Sequence, residues 1–250
     1  MSAVGAPTGV ALEAAHPAPA TGPPVGMWRR QIIRLKWGVG AALVLLVVIL
    51  SALLAPWISP HDPLAVDIRH RLAPPVWMAG GTPEHPLGTD QVGRDLLSRV
   101  IYGGRVSLIV GVSAVLLSSS VGMLLGLAAG YFGGRLDWTV MTVVNVVLTF
   151  PFVLLALAVI AVLGPSLPNM IAVLAVAGWP IYTRVIRAET IGLKEREFVT
   201  AGRALGMSHL RIIFRQIMPN LVSAGVVIGT LQVAQVIVLE SFLSFLGLGV

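Results

Sequence analysis

Residues 197–220 read EFVTAGRALGMSHLRIIFRQIMPN, so Glu197, Arg203, Arg211 and Arg215 fall close together in a chain with only 11% charged residues. These side chains suit recognition or mechanical coupling, because no nucleophile, base and orienting group stand together among them. The nearby GRALGMS lacks the lysine of a phosphate-cradling loop. His61, His70, His85 and His209 show no metal-ligand spacing, all five histidines read as loop residues, and there is no cysteine. We therefore expect no catalytic residue, no metal ligand and no cofactor held by this chain.

The local pattern predicts two short helices around a hinge. Phe198, Ala201 and Leu205 share one stripe of a helix that includes Glu197, Thr200, Gly202, Arg203 and Ala204. Gly206 is placed to end that helix, and after Met207 the Ser208 hydroxyl can cap the next one. There Leu210, Ile213, Phe214 and Ile217 recur at helical spacing, Arg211 and Arg215 share another face, and Pro219 marks the entry to an apolar helix. Such an element can transmit a push from a soluble partner to a helical bundle, or it can lie at the headgroup layer as basic loops do.

The rest of the chain decides what kind of bundle this is. With 56% hydrophobic residues, the 250-residue chain reads as an all-α, polytopic transmembrane bundle. The net charge of +6 is then a topology signal, and no nucleic-acid partner is expected. Residues 1–28 read as a disordered cytoplasmic tail, 29–103 as a first transmembrane helix with an external loop, and 104–250 as the core. Uncharged runs at Trp37–Ile58, Val106–Phe132, Trp138–Leu163, Leu167–Tyr182 and Ile217–Leu239 predict five spans. The first is too long for a signal peptide and follows Arg29, Arg30, Arg34 and Lys36. Most of the 17 Lys and Arg fall on one side if the N-terminus is cytoplasmic. That arrangement places residues 183–216 inside.

The stretch closing with Ile217, Met218 and Pro219 resembles the EAA coupling loop of binding-protein-dependent ABC importer permeases. Thr200, Ala201, Gly202 and Gly206 stand at its Glu, Ala, Ala and Gly positions, with Thr200 and Gly202 departing from the pattern. HPLGTDQVGRDLLSRVIYGGRVSL, residues 85–108, resembles the external segment before the second span in the dipeptide, oligopeptide and nickel class, the DppC/OppC type. LESFLSFLGLGV at 239–250 is similar to the external re-entrant element of these permeases. The resemblance implies a type I importer permease fold with a sixth span, which is expected but absent here, so that a truncated chain is expected. It implies peptide import into the cytoplasm across the bacterial inner membrane, with nickel-chelate or glutathione-like cargo as the alternative. It also implies a second homologous permease, two ATPase subunits holding ATP and Mg, and an external substrate-binding protein.

Within the bilayer, Asn145, Gln232 and Gln235 are polar, and Gln232 and Gln235 are placed to share a helix face. They can line a translocation path or hydrogen-bond between helices. Gly122, Gly126 and Gly130 recur every four residues, which favours close helix packing. A secondary transporter would show an inverted repeat and charged midplane residues, and a membrane enzyme would show buried reactive groups. Neither pattern is present in the spans as read.

Overall fold

The computed structural model describes residues 25–247, with side chains from Gly38 onward, so most of the expected N-terminal tail lies outside the described residues. Val25–Trp28, assigned to that tail from sequence, already belong to the first helix, α1 (Val25–Leu53). From Gly38 to Leu53 this helix carries no charged residue, as a lipid-facing segment requires. Leu54 interrupts the helix before the single turn α2 (Ala55–Ile58). Pro56 explains the interruption, since it has no N–H to donate back to the preceding turn.

Residues 59–95 form a loop without strands, containing a 3-10 turn at Ile68–His70 and one isolated bridge between Thr89 and Asp95. Asp90 organises its end. One carboxylate oxygen accepts from the Val92 and Arg94 N–H groups at 2.9 and 3.0 Å, and the other accepts from the Arg94 and Arg99 guanidiniums at 2.8 and 2.6 Å. Gly93 sits at φ +83, where a Cβ would collide with the Asp67 carbonyl, so this turn requires glycine.

Asp95 then caps α3 (Leu96–Phe132), accepting the Ser98 N–H at 2.7 Å. This helix is the first of three long and apolar enough to cross a membrane; the others are α6 (Leu167–Lys194) and the run His209–Phe245. The run contains α8 (His209–Ile212), a π-helical turn at Ile213–Ile217 and α9 (Met218–Phe245). Pro219 cannot donate to the turn before it, and the helix widens there rather than stopping. The expected span start at Ile217 falls inside this run, which begins earlier at His209, while Pro219 does stand in the first turn of α9. The span's end also differs: residues 240–245 continue α9 as regular helix instead of forming a separate re-entrant element, and Gly247 turns at φ +78. Residues 248–250 of that expected element lie outside the described residues.

The expected third span is broken. α4 (Gly134–Thr149) and α5 (Phe152–Leu163) meet at 84°. Pro151 restricts Phe150 to extended backbone and removes a helical donor, which ends α4. α6 behaves differently at Pro180, running through it to Lys194 well past the expected end at Tyr182. The fold is thus an all-helical membrane bundle, with three helices of spanning length and the bent pair among the described residues.

Two packed centres hold it together. Val110, Ala114, Met170, Leu174, Tyr182, Val236 and Leu243 join α3, α6 and α9 at one level. Leu127, Tyr131, Ile186, Val199, Ile212, Ile213, Ile217 and Leu221 join them at another. Between α3 and α6 the approach is set by the predicted glycine row. A Cβ would lie 2.6 Å from the Trp179 carbonyl at Gly122, 2.7 Å from the Thr183 carbonyl at Gly126 and 2.8 Å from the Arg187 carbonyl at Gly130. Small residues permit backbone contact in lipid, where no hydrophobic force drives helices together.

Candidate functional site

α7 (Glu197–Ala204) follows α6 after a break at Glu195–Arg196. Its end is a Schellman turn: the Met207 N–H donates to the Gly202 carbonyl and the Gly206 N–H to the Arg203 carbonyl, both at 3.0 Å. Gly206 stands at φ +76 with open space around it, so conformation rather than crowding calls for glycine. The Ser208 side chain then accepts the Arg211 N–H at 3.4 Å, starting α8. The predicted helix, glycine turn and capped helix are all present.

The faces of α7 are the reverse of a self-contained amphipathic helix. Val199 is fully buried and Gly202 is buried, whereas Phe198, Thr200, Ala201, Ala204 and Leu205 are exposed, Leu205 by 84%. Across the hinge, Leu210 and Phe214 are exposed while Ile213 and Ile217 enter the core. The stripe of Phe198, Ala201 and Leu205 therefore looks outward, and Val199 is the anchor that sequence reasoning missed. Its signal was its place three residues before Gly202, which completes the buried face. Gly202 itself faces Gln216 and Met207, with a Cβ position only 2.8 Å from the Gln216 amide nitrogen.

Charge surrounds that apolar face. Among the described residues, no ion pair involves Glu197, Arg203, Arg211 or Arg215. A surface cleft of about 770 Å³ lies beside α7, lined by Leu193, Glu195, Arg196, Glu197, Phe198 and Asn220. Exposed apolar side chains ringed by unpaired charges are the composition of a protein-docking surface.

The segment is fastened to the spans. Tyr131, at the end of α3, hydrogen-bonds His209 Nδ1 at 2.8 Å, and the Arg203 guanidinium lies over the Tyr131 ring at 5.6 Å. His209 is consequently part of α8 and not a loop residue. Lys194 donates to the Gly130 carbonyl at 3.0 Å, and Arg187 grips Asp137 of α4 with two nitrogens, one contact at 2.6 Å. These contacts join α7 and α8 to α3, and α6 to α3 and α4.

The three polar residues expected along a path do not converge. Asn145 is exposed and accepts from Arg184 at 2.8 Å. Gln232 is 5% exposed and points toward Gly178, while Gln235 is exposed in a shallow groove with Ala234, Val238 and Leu239. A helical separation of three residues left Gln232 and Gln235 on opposite sides of the burial boundary. One charge joins α9 because the helix continues past the expected span end at Leu239. Glu240 is buried in α9 and accepts from Ser107 of α3 and from Ser244, each at 2.9 Å. Tyr182 was missed as well: its hydroxyl is buried without a partner beside a cavity of about 230 Å³ between α3, α6 and α9.

The histidines also differ from expectation. His61, His85 and Asp95 bring three ligand-type atoms within 4.8 Å of one another, although their sequence spacing gave no sign of it.

Residues 122–250 match a family model described as a binding-protein-dependent transport system inner membrane component, and residues 24–75 match one described as the N-terminal TM domain of oligopeptide transport permease C. The chain is 38% identical over 245 residues to a di/tripeptide transport system permease protein of Pseudomonas aeruginosa, covering 96% of this chain and 81% of that one. It is 40% identical over 207 residues to a dipeptide transport system permease protein of Haemophilus influenzae, covering 83% and 70%, and 36% identical over 223 residues to one of Bacillus subtilis, covering 89% and 68%. With the helical bundle, the hinged pair of short helices and these similarities together, the chain belongs to the permeases of binding-protein-dependent ABC transport systems, as a multi-pass inner membrane component.

Proposed function

We propose that this permease moves dipeptides or oligopeptides into the cytoplasm and that its α7–α8 segment receives the force of ATP hydrolysis from separate ATPase subunits. The observation that carries the reading is the outward apolar face of Phe198 and Leu205, held on a glycine hinge and anchored inward by Val199. A docked ATPase would cover that face, and closure of an ATPase pair on ATP and Mg would shift α7 against α3 and α6. The names of the similar proteins support peptide cargo.

In this reading the N-terminus and residues 183–216 face the cytoplasm, following the positive charge distribution. A second homologous permease completes the path, and an external binding protein delivers the cargo. The exposed aliphatic residues of α9, among them Val226, Leu231 and Val238, supply apolar surface for that permease or for lipid.

The test is Gly206→Val in the assembled transporter. A β-branched residue at φ +76 costs about 1–2 kcal/mol and distorts the turn. We expect normal membrane insertion, continued ATP hydrolysis and loss of peptide uptake. Uptake at the wild-type rate would reject the lever.

A further inference from the structure

We infer that His61, His85 and Asp95 form a binding site for a divalent transition-metal ion of the zinc class. The three residues come from the exit of α2, the middle of the 59–95 loop and the cap of α3, and their ligand atoms lie within 4.8 Å of one another. His85 and Asp95 are buried, with relative exposures of 7% and 2%, whereas His61 is exposed.

The distances suit a shared ion. Bonds of about 2.0–2.1 Å at tetrahedral angles separate ligand atoms by about 3.3 Å. His85 Nδ1 and Asp95 Oδ1 are already 3.0 Å apart, so one ion can take both with little movement. The His61 ring is stacked at 4.7 Å from the His85 ring, tilted by 33°, and only this exposed side chain has to swing inward.

The supporting shell is also in place. Ser98 is fully buried, and its hydroxyl donates to Asp95 Oδ2 at 2.6 Å while accepting the His61 N–H at 3.1 Å. With the Ser98 N–H on the same Oδ2, that oxygen is occupied and Oδ1 is left as the ligand atom. One hydroxyl thus orients the carboxylate and fixes the backbone of the second imidazole ligand, as outer-shell groups do in metal sites.

Chemistry selects the ion. Two imidazoles and a carboxylate, with no thiolate available in a cysteine-free chain, favour zinc-like cations over calcium or magnesium, which take oxygen ligands. His61 also lines an open cavity of about 580 Å³ with Pro56, Ser59, Asp62 and Tyr102, so this ligand is reachable from outside. His70 stands apart from the ligand set. Its Nδ1 is taken by Asp67 at 2.7 Å, although its ring lies 5.9 Å from that of His85. A bound ion would staple both ends of the loop to the start of α3.

The experiment uses the full chain purified with its transporter partners in detergent, stripped with EDTA and titrated with zinc by calorimetry. Metal content after dialysis is measured by mass spectrometry. We expect one zinc per chain beyond the content of the same complex carrying His61→Ala, with no corresponding uptake of calcium or magnesium. His61→Ala, which removes only an exposed side chain, should weaken that site by at least about a hundredfold, and Ser98→Ala by about 10- to 100-fold. His70→Ala should leave the affinity unchanged. Thermal unfolding of each stripped complex confirms that it remains folded, and a His61→Ala that lost its fold would be replaced by His61→Gln. Equal zinc content and affinity in the wild type and the His61 variant, or an equal loss in the His70 variant, would overturn the assignment.

Discussion

Tyr131 and His209 are joined by a 2.8 Å hydrogen bond, although the two residues are separated by 78 positions in the chain. It fastens the second helix of the hinged segment to the end of a membrane helix, beside the cluster that Leu127 and Tyr131 share with Ile212 and Ile213. Tyr131→Phe removes the hydroxyl and keeps the ring under Arg203. The expected cost is about 0.5–1.5 kcal/mol of stability, with a lower ratio of peptide transported to ATP hydrolysed. Parallel assays of uptake and phosphate release on reconstituted transporter would check it, and an unchanged ratio would remove Tyr131 from the coupling route.

The α3–α6 contact makes a sharper stability prediction. A side chain at Gly126 would press on the Thr183 carbonyl and the Ile186 side chain, with Cβ separations of 2.7 and 3.0 Å. Gly126→Leu should destabilise the chain by about 1–3 kcal/mol through overpacking. Gly192 lies on α6 with nothing near its Cβ position, so Gly192→Ala should instead stabilise by about 0.5–1 kcal/mol. Thermal unfolding of the two variants in one detergent would compare them directly.

Acid should loosen the 59–95 loop only at low pH. Burial pushes the Asp90 carboxyl up, but the Arg94 and Val92 N–H groups and the Arg94 guanidinium outweigh it and hold it well below the usual carboxylate range. A group depressed on folding contributes fully above its unfolded value of about 3.9 and loses that contribution as pH falls through the folded value. The protection factors of residues 88–95, which divide out the pH dependence of intrinsic amide exchange, should therefore stay constant from pH 7 to about pH 4.5 and fall in stronger acid. In Asp90→Asn exchange should already be fast at pH 7. Loosening of the wild type between pH 7 and 5 would assign the loop's stability to another group.

Much of this molecule is legible from local rules. The long apolar runs of α3 and α9 announce spans, the glycine row at 122, 126 and 130 announces a close contact, and Gly206 with Ser208 announces the hinge and cap. The break at Pro151 was equally available, because TFPFV places a proline within an apolar run and restricts the residue before it. Hydropathy averaged over a window hides such a break. What local rules do not reach is burial: Phe198 and Val199 are adjacent apolar residues, and only the docking of α7 on Ile212 and Ile217 decides which one turns inward. The same holds for His61 and His85, which lie 24 positions apart and are brought together by the turns between them.

Phe198 and Leu205 give the account its most direct measurement. A single cysteine replacing Leu205, which is 84% exposed in a chain without native cysteine, is reacted with a short photo-crosslinker in membranes containing the whole transporter. The expected result is a covalent adduct with an ATPase subunit whose yield changes when nucleotide is added, and protection of this cysteine from impermeant reagents applied outside intact cells. Labelling from outside, with no adduct to an ATPase subunit, would contradict it.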